Sequence, residues 1–552
     1  MDSLTRHSMR CTLFLLVVAA LCATAACSND REDSHSADGR PNILLIVADD
    51  MGYSDLGIYG SEIATPALDA LARSGIQFTS FYASSLCSPS RAMLLSGVDN
   101  HVAGLGNMVE GMTRNQEGQP GHEGFLNDRV HSVAELLQSG GYHTYMAGKW
   151  HLGTEPENWP DARGFERSFA LLEGASHHFD NRGFMPRYPM VNYVKDGASI
   201  DLPEDFFSTR SYTDAIIENI ERNRSDDQPF FAYLAYTAPH WPLQVSDDYL
   251  DRYAGKYDTG YEATRSARLE KLKQLGIIDE NFKTGEVTGE FSRWEALSDL
   301  ERRTSARKME LYAAMVENLD HHVDRVFAYL KKTGQFDNTL IIFMSDNGAS
   351  NTAAASAWIK EHFDTRLESM GTKGSFVAYG MEWAQVSNTP YRGYKAHYTE
   401  GGMRVPLLMK LPHVSAKEQR VESGMVTVRD ILPTITDFAQ LALPLQAGAE
   451  DKIPISGVSL MAVLNDQQDS AHGPKEAFGW EVYGRRAVRR SHWKIVWSTK
   501  PVGVDDWQLY DLATDPGERL DLADDEPVIL DELIIHWDEY VSRNGVVLPI
   551  FE

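Results

Sequence analysis

Two runs of near-continuous hydrophobicity and strand length, residues 43–48 and 339–344, and two further strand-length segments, 142–147 and 229–236, punctuate the chain. Unbroken rather than alternating apolar character implies burial on both faces, as in the parallel sheet of an α/β fold. Between these segments the period becomes helical. Thr65-Pro66 caps a helix over 67–74, and Ser132 with Glu135 makes a capping box for a helix ending at Gly140-Gly141. Ile216, Ile217 and Ile220 stripe a helix over 209–224, and Met309, Ala313, Val316, Leu319, Val323, Val326 and Leu330 keep helical spacing along one long amphipathic helix. The repeat of strand, polar cluster and helix predicts a large, doubly wound mixed sheet flanked by helices.

The polar clusters are Asp49-Asp50, Lys149-Trp150-His151, Thr237-Ala238-Pro239-His240 and Ser345-Asp346-Asn347, each at a strand's carboxyl end, where ligands of such folds gather. Residues 245–305, charged and mostly helical, and 349–392, irregular and aromatic, read as insertions that shape a pocket. After about residue 470 the pattern turns to short alternating segments at 478–483, 486–490, 493–497 and 507–510, then a helix over 528–542. The expectation is a catalytic α/β domain over 41–469 and a small antiparallel α+β subdomain over 470–552.

The first 40 residues fit neither. Arg6 and Arg10 precede an apolar run over 13–26, and polar chain follows at 28–33, the three-part pattern of a secretory signal. Thr24-Ala25-Ala26-Cys27 resembles a bacterial lipobox, with Thr24 where Leu, Val or Ile is usual. Residues 1–27 are thus expected to be a signal, with Cys27 carrying a lipid tether or the chain simply released, and 28–40 a flexible tether. Either places the protein in the periplasm or anchored on the outer side of a membrane. Of four cysteines, Cys11 and Cys22 leave with the signal, Cys27 belongs to the anchor, and only Cys87 remains in the folded part, so no disulfide can form there. The net charge of −27 argues against nucleic acid as a partner and requires that any positive potential be local to a site.

Cys87 lies in Leu86-Cys87-Ser88-Pro89-Ser90-Arg91, which reads as a helix start, with Ser88 as N-cap and Pro89 at the first helical position. Cys87 would stand just outside the positive end of that helix, with its thiol pKa lowered, and Arg91 one turn in. Asp49, Asp50, Asp346 and Asn347 offer only oxygen donors, suited to Ca²⁺ or Mg²⁺ rather than Zn²⁺. Lys149 and His151, two apart on an extended segment, are expected to face one side. With His240 and Lys395 they supply two acid–base groups and two cations around an anion. His101, His177 and His178 are given structural roles. Trp241, Trp383 and the aromatics over 379–394 are either stacking surfaces or packing.

These blocks, with Pro-Asn-Ile-Leu-Leu-Ile-Val-Ala-Asp-Asp from Pro41, Gly-Lys-Trp-His-Leu-Gly from Gly148, Thr-Ala-Pro-His-Trp-Pro from Thr237 and the stretch Tyr394 to Pro406, resemble the type I sulfatases, closest to the bacterial arylsulfatases of the alkaline phosphatase superfamily. The resemblance implies an alkaline-phosphatase-like fold and a Cys87 oxidised to formylglycine by a formylglycine-generating or other maturation enzyme. It implies one Ca²⁺ (Mg²⁺ as substitute) on Asp49, Asp50, Asp346, Asn347 and residue 87. Arg91 would orient the formylglycine, Lys149 and Lys395 bind sulfate, His240 with Lys395 serve the leaving oxygen, and His151 deprotonate the second hydroxyl of the aldehyde hydrate. The expected activity is hydrolysis of a small-molecule or saccharide sulfate ester to sulfate and an alcohol or phenol. The alternatives are a phosphonate monoester or phosphodiester hydrolase on the same site, and a non-catalytic lipoprotein that captures sulfate esters.

Overall fold

The computed structural model describes residues 39–551 apart from 286–291, 353–354, 415–418, 444–451 and 501–502. The signal, Cys27 and nearly all of the tether lie outside the described residues. No helix among the described residues is long and apolar enough to cross a membrane.

The strands in chain order are β1 (Asn42–Ala48), β2 (Ile76–Phe78), β3 (Phe81–Tyr82), β4 (His143–Lys149), β5 (Arg167–Leu171), β6 (Arg182–Met185), β7 (Tyr188–Met190), β8 (Tyr193–Lys195), β9 (Ala198–Ser199), β10 (Phe230–Ala235), β11 (Thr339–Ser345), β12 (Leu407–Lys410), β13 (Arg420–Glu422), β14 (Val426–Thr427), β15 (Ala477–Val482), β16 (Arg485–Arg490), β17 (Trp493–Trp497) and β18 (Trp507–Asp511). Ten of them form one mixed sheet in the order β13-β2-β12-β11-β1-β10-β4-β5-β8-β9. The five central strands, β11 to β5, are all parallel; β12 and β2 on one side and β8 and β9 on the other join through antiparallel pairs, and β13 pairs with β2 in parallel. The four strand-length runs read from the sequence are β1, β4, β10 and β11, and β5 joins them unread.

Their unbroken hydrophobicity has a direct cause. Leu44 and Ile46 of β1 point into one core, with the helices Pro66–Arg73, Ser208–Arg222 and Asp299–Lys332. Ile43, Leu45 and Val47 point into another on the opposite face, with the helices Cys87–Ser96, Val133–Ser139 and Ile431–Phe438. A sheet covered on both faces leaves no polar side for alternation to mark. The capping box at Ser132 and Glu135 forms as expected. Thr65 holds the N-cap position of the next helix without capping it; Asp320 of the long helix accepts from Ala67 and Leu68 N–H at 3.0 and 2.8 Å instead.

Register decides where the site lies. Val47 pairs with both Ala235 and Met344, Ala48 with Ser345, and Ala235 with Gly148, so β1, β11, β10 and β4 end at one level. Gly148 makes this alignment possible: its φ is +119°, and a Cβ there would run into the Ala235 carbonyl oxygen.

The C-terminal strands β15 to β18 form a separate four-stranded antiparallel sheet. One face packs under the helix Pro527–Asn544 through Val488, Ile495, Leu509 and Trp537. The other carries Trp480, Val482 and Val496 against Leu86, Tyr398 and Met403, so this sheet backs the loop that presents Cys87. His101 is one rivet of the join. Its ring nitrogens lie 3.0 Å from Asp99 and 2.9 Å from Glu481 of β15, and the Tyr540 hydroxyl bonds Asp99 at 3.1 Å. Despite burial, which opposes the charged ring, the two carboxylates raise the His101 pKa to about 9. The stabilisation is therefore complete below the ordinary value near 6.5 and is lost as pH rises through about 9. His101→Gln is expected to cost about 2–3 kcal/mol at pH 6, with the gap to wild type narrowing towards pH 9.5 in denaturant titrations. A gap that stays constant with pH would contradict this.

Candidate active site

The catalytic and metal-ligand candidates named from the sequence converge at the carboxyl edge of the central strands. Asp49 and Asp50 follow β1, Asp346 and Asn347 follow β11, Lys149 closes β4 with His151 two residues on, and His240 lies five residues beyond β10. Cys87 begins the helix Cys87–Ser96, and Lys395 lies just after the insertion 349–392 that follows β11. The Cys87 Sγ is 3.4 Å from Asp49 Oδ1 and 3.8 Å from Asp50 Oδ1. Lys395 Nζ donates to Asp50 Oδ1 at 2.7 Å and to Cys87 Sγ at 3.0 Å, while Lys149 Nζ donates to Asp49 Oδ2 at 2.7 Å.

Arg91, wholly buried, clasps Asp346 Oδ2 through Nε and Nη2 at 3.0 and 2.8 Å and reaches the Lys149 carbonyl at 3.0 Å. It thereby fixes a strand-end carboxylate and the backbone of a catalytic candidate together. Asp346 Oδ1 accepts from Asp50 N–H at 3.2 Å, and Asn347 Nδ2 donates to Asp50 Oδ1 at 2.7 Å. The backbone is held in the left-handed region at Asp50 (φ +65°), His151 (φ +57°) and Ala396 (φ +69°), three non-glycine residues of the site. Strain of that kind persists where the surroundings impose a functional geometry.

Three local expectations are corrected. The helix starts two residues early, with Leu86 rather than Ser88 as N-cap and no side-chain cap, so Cys87 is inside the first turn. Its thiol is not acidified: burial, reinforced by the Asp49 carboxylate, pushes the pKa well above the ordinary thiol value, overriding the helix end and the two lysines. The extended segment expected at 149–151 also gives way to the positive φ of His151. Its ring turns to Glu110 (Nε2 to Oε1, 3.3 Å) and rests against Gly174, where any Cβ would collide with it.

His240 offers its Nδ1 to the Trp241 carbonyl at 2.6 Å. A carbonyl only accepts, so Nδ1 carries the hydrogen and the neutral ring presents its Nε2 lone pair, 3.4 Å from Asp50 Oδ2. Burial draws the His240 pKa down to about 4 against the pull of Asp50, with Lys395 adding to the depression. Asp346 is pushed up to about 6 by burial and by Asp49, whereas Asp49 itself falls well below the carboxylate range because Lys149, His240 and Arg91 outweigh its burial.

The oxygens of Asp49, Asp50 and Asn347 fit a hard cation. Asp49, Asp50, Cys87 and His240 place ligand atoms within 4.8 Å of one another, a group that includes His240 and leaves out Asp346, unlike the set expected from the sequence. Asp50 Oδ2 and Asn347 Oδ1 are buried oxygens without a hydrogen-bond partner, a costly arrangement unless a cation or ligand satisfies them. Asp346 reaches the group through its bonds to Asp50 N–H and Arg91.

A family model described as Sulfatase matches residues 41–441, and one described as N-sulphoglucosamine sulphohydrolase, C-terminal, matches residues 394–533. The chain belongs to the sulfatase family. This sulfatase is 41% identical over 529 residues to an uncharacterized sulfatase of Schizosaccharomyces pombe, across 92% of this chain and 94% of the relative. It is 37% identical over 434 residues to an arylsulfatase of Klebsiella aerogenes, across 77% of this chain and 92% of that enzyme. In fold it is similar to Ps i-CgsB, solved in complex with a neocarrahexaose, with a TM-score of 0.65 and 24% identity over 93% of this chain and 95% of that one. Family membership makes it a sulfuric ester hydrolase with an alkaline-phosphatase-like sheet.

Several residues around this sulfatase's site were not legible beforehand. Glu110, from a short turn, faces His151, and the β6–β7 hairpin brings Phe184 and Tyr188 into the cleft above Cys87, His151, His240 and Lys395. His178, expected to be structural, stands directly behind the site: its Nε2 donates to the His240 carbonyl at 3.1 Å, and its Nδ1 accepts from Ser208 at 2.7 Å. His177 packs between Phe363 and Phe184, and Trp383 is wholly buried beside Tyr257 and Tyr261, so both are packing.

Proposed function

We propose that the chain hydrolyses sulfate monoesters with formylglycine, made from Cys87 by a maturation enzyme, as the nucleophilic residue. One Ca²⁺ would be held by Asp49, Asp50, Asp346, Asn347 and residue 87. What carries the reading is the placement of residue 87: it lies among three carboxylates, with Arg91, Lys149 and Lys395 around it, at the floor of a cleft that two histidines line.

When bound, the cation would polarise the sulfuryl oxygens and stabilise charge on them. The hydrate of the formylglycine aldehyde would supply one hydroxyl to attack sulfur and a second whose deprotonation frees sulfate. The chain's own residues do the rest. Lys149 and Lys395, both kept charged by neighbouring carboxylates, attract the sulfate group into a site whose protein surroundings are otherwise acidic. Arg91 orients Asp346 and the end of β4. His240 and Lys395 flank the cleft where the leaving oxygen takes up a proton, and His178 fixes the backbone of His240. His151, its ring set by Glu110, would accept the proton from residue 87.

Export is part of the same proposal. The Arg6 to Cys27 pattern supports a periplasmic or lipid-tethered protein.

Rates on matched 4-nitrophenyl sulfate, phenylphosphonate and phosphodiester substrates test the reading. The expected outcome is a kcat/KM for the sulfate ester at least about tenfold above either phosphorus ester. The reverse order would make the chain a phosphorus ester hydrolase, and tight binding without turnover would leave a capture protein.

A further inference from the structure

The turn between β15 and β16 carries the C-terminal sheet to the edge of the active site. Val482 pairs with Arg485, so Tyr483 and Gly484 are the two central residues of a hairpin. Both have positive φ, +52° and +76°, as two-residue hairpin turns of this kind require. Glycine suits that region, whereas a side chain as bulky as tyrosine persists there only where its surroundings impose it. Those surroundings are on both sides of the turn. Glu481 Oε1 accepts from Gly484 N–H at 2.6 Å, and the other carboxylate oxygen meets His101. The Tyr483 ring fills the space beside Gly111, where any Cβ would collide with it, next to Glu110 of the cleft wall.

Arg485, directly after the turn, donates through Nη1 to the Ala396 carbonyl at 2.7 Å. Ala396 follows Lys395 and is itself one of the site's residues with positive φ. The backbone that carries Lys395 is thus held at three points. Lys395 N–H donates to the Ala349 carbonyl at 3.0 Å, Ala396 N–H donates to the Ser85 carbonyl at 2.7 Å, and the Ala396 carbonyl accepts from Arg485. Only the third hold comes from the C-terminal sheet. It mirrors the bond from Arg91 to the Lys149 carbonyl, so each of the site's two lysines has an arginine on the backbone at its side. Arg485 is kept there at a cost: its Nε is buried without a hydrogen-bond partner, and burial lowers its pKa.

Resting on the sulfate ester hydrolase reading above, we propose that Arg485 is a positioning residue for Lys395, through which the C-terminal sheet takes part in the reaction. Lys395 Nζ has to meet Asp50 and residue 87 at once, at 2.7 and 3.0 Å, and a displacement of about 1 Å in such a group costs on the order of 10²-fold in rate. The loss should have a chemical signature. Help to the leaving oxygen matters most when the phenol is weakly acidic. Lost packing or a smaller folded fraction would instead scale every ester alike.

The test compares kcat/KM of the mature enzyme on 4-nitrophenyl sulfate and phenyl sulfate, for wild type, Arg485→Met, Arg485→Lys and Arg486→Met. Arg486 is the control, an arginine of the same strand that packs over Trp497 and Trp537 instead. Arg485→Met is expected to lose about 100-fold on phenyl sulfate and less than about tenfold on 4-nitrophenyl sulfate. Arg485→Lys, which keeps a charged donor, should fall between that variant and wild type, and its ratio decides the matter if Arg485→Met does not fold. Arg486→Met should keep the wild-type ratio of the two esters. Equal losses on both esters in the Arg485 variants, or a change of ratio as large in Arg486→Met, would overturn the positioning role and leave the hydrolase reading standing. A wild type that hydrolyses no sulfate ester overturns the hydrolase reading itself, before any variant is compared.

Discussion

Cys87→Ala is expected to lower kcat for sulfate ester hydrolysis by about 10⁵–10⁶-fold, the scale seen when a nucleophile is removed, while changing folding free energy by only about 1 kcal/mol. The second half follows from the contacts. Sγ touches Asp49, Asp50 and Lys395, and each keeps another partner when sulfur is removed: Lys149 for Asp49, Lys395 for Asp50, and Asp50 for Lys395. No buried charge is stranded. Arg91→Met gives the opposite balance, because Asp346 then loses its two guanidinium bonds in a fully buried place; a cost of about 3–5 kcal/mol is expected. Kinetics with thermal melting on both variants separates the two. A Cys87→Ala enzyme with near-normal kcat would remove residue 87 from the chemistry.

Chelation should have the next largest effect. Dialysis against EGTA is expected to abolish turnover and lower the melting temperature, and Ca²⁺ at 100–1,000 times its dissociation constant should restore activity and about 3–4 kcal/mol of stability. The reason is oxygen donors left over. Asp50 Oδ2 and Asn347 Oδ1 lack partners in a buried site even though each carboxylate there is paired with a lysine or arginine, and a divalent cation would satisfy both oxygens. Asp50→Asn should retain the fold but lose the Ca²⁺-dependent shift in melting. A metal-free enzyme with unchanged melting and unchanged turnover would contradict the oxygen-donor assignment.

Much of this was legible in the chain. The buried central strands and the polar ends that follow them are local patterns, and Asp49, Asp50, Lys149, His240, Asp346 and Asn347 could be placed on one edge because parallel strands all end there. The C-terminal strands betrayed themselves by alternation, since each face of their sheet meets a different neighbour. What escaped depends on contacts remote in sequence. The thiol of Cys87 was expected to be acidic from its helix, yet Asp49, 38 residues away, and complete burial reverse the sign. Asp320 caps a helix 253 residues before it, which no capping rule reads from Thr65. The three-residue strand β2 is too short for any period, and β6 and β7, which wall the cleft, sit in chain whose exposed Met185 and Met190 look like neither core nor turn.

Mass spectrometry of the tryptic peptide spanning residues 74–91, from protein produced with an active formylglycine-generating enzyme, tests the central claim most directly. The account predicts an aldehyde or its hydrate at residue 87. A quantitatively intact thiol, in a host that matures a control sulfatase, would contradict it.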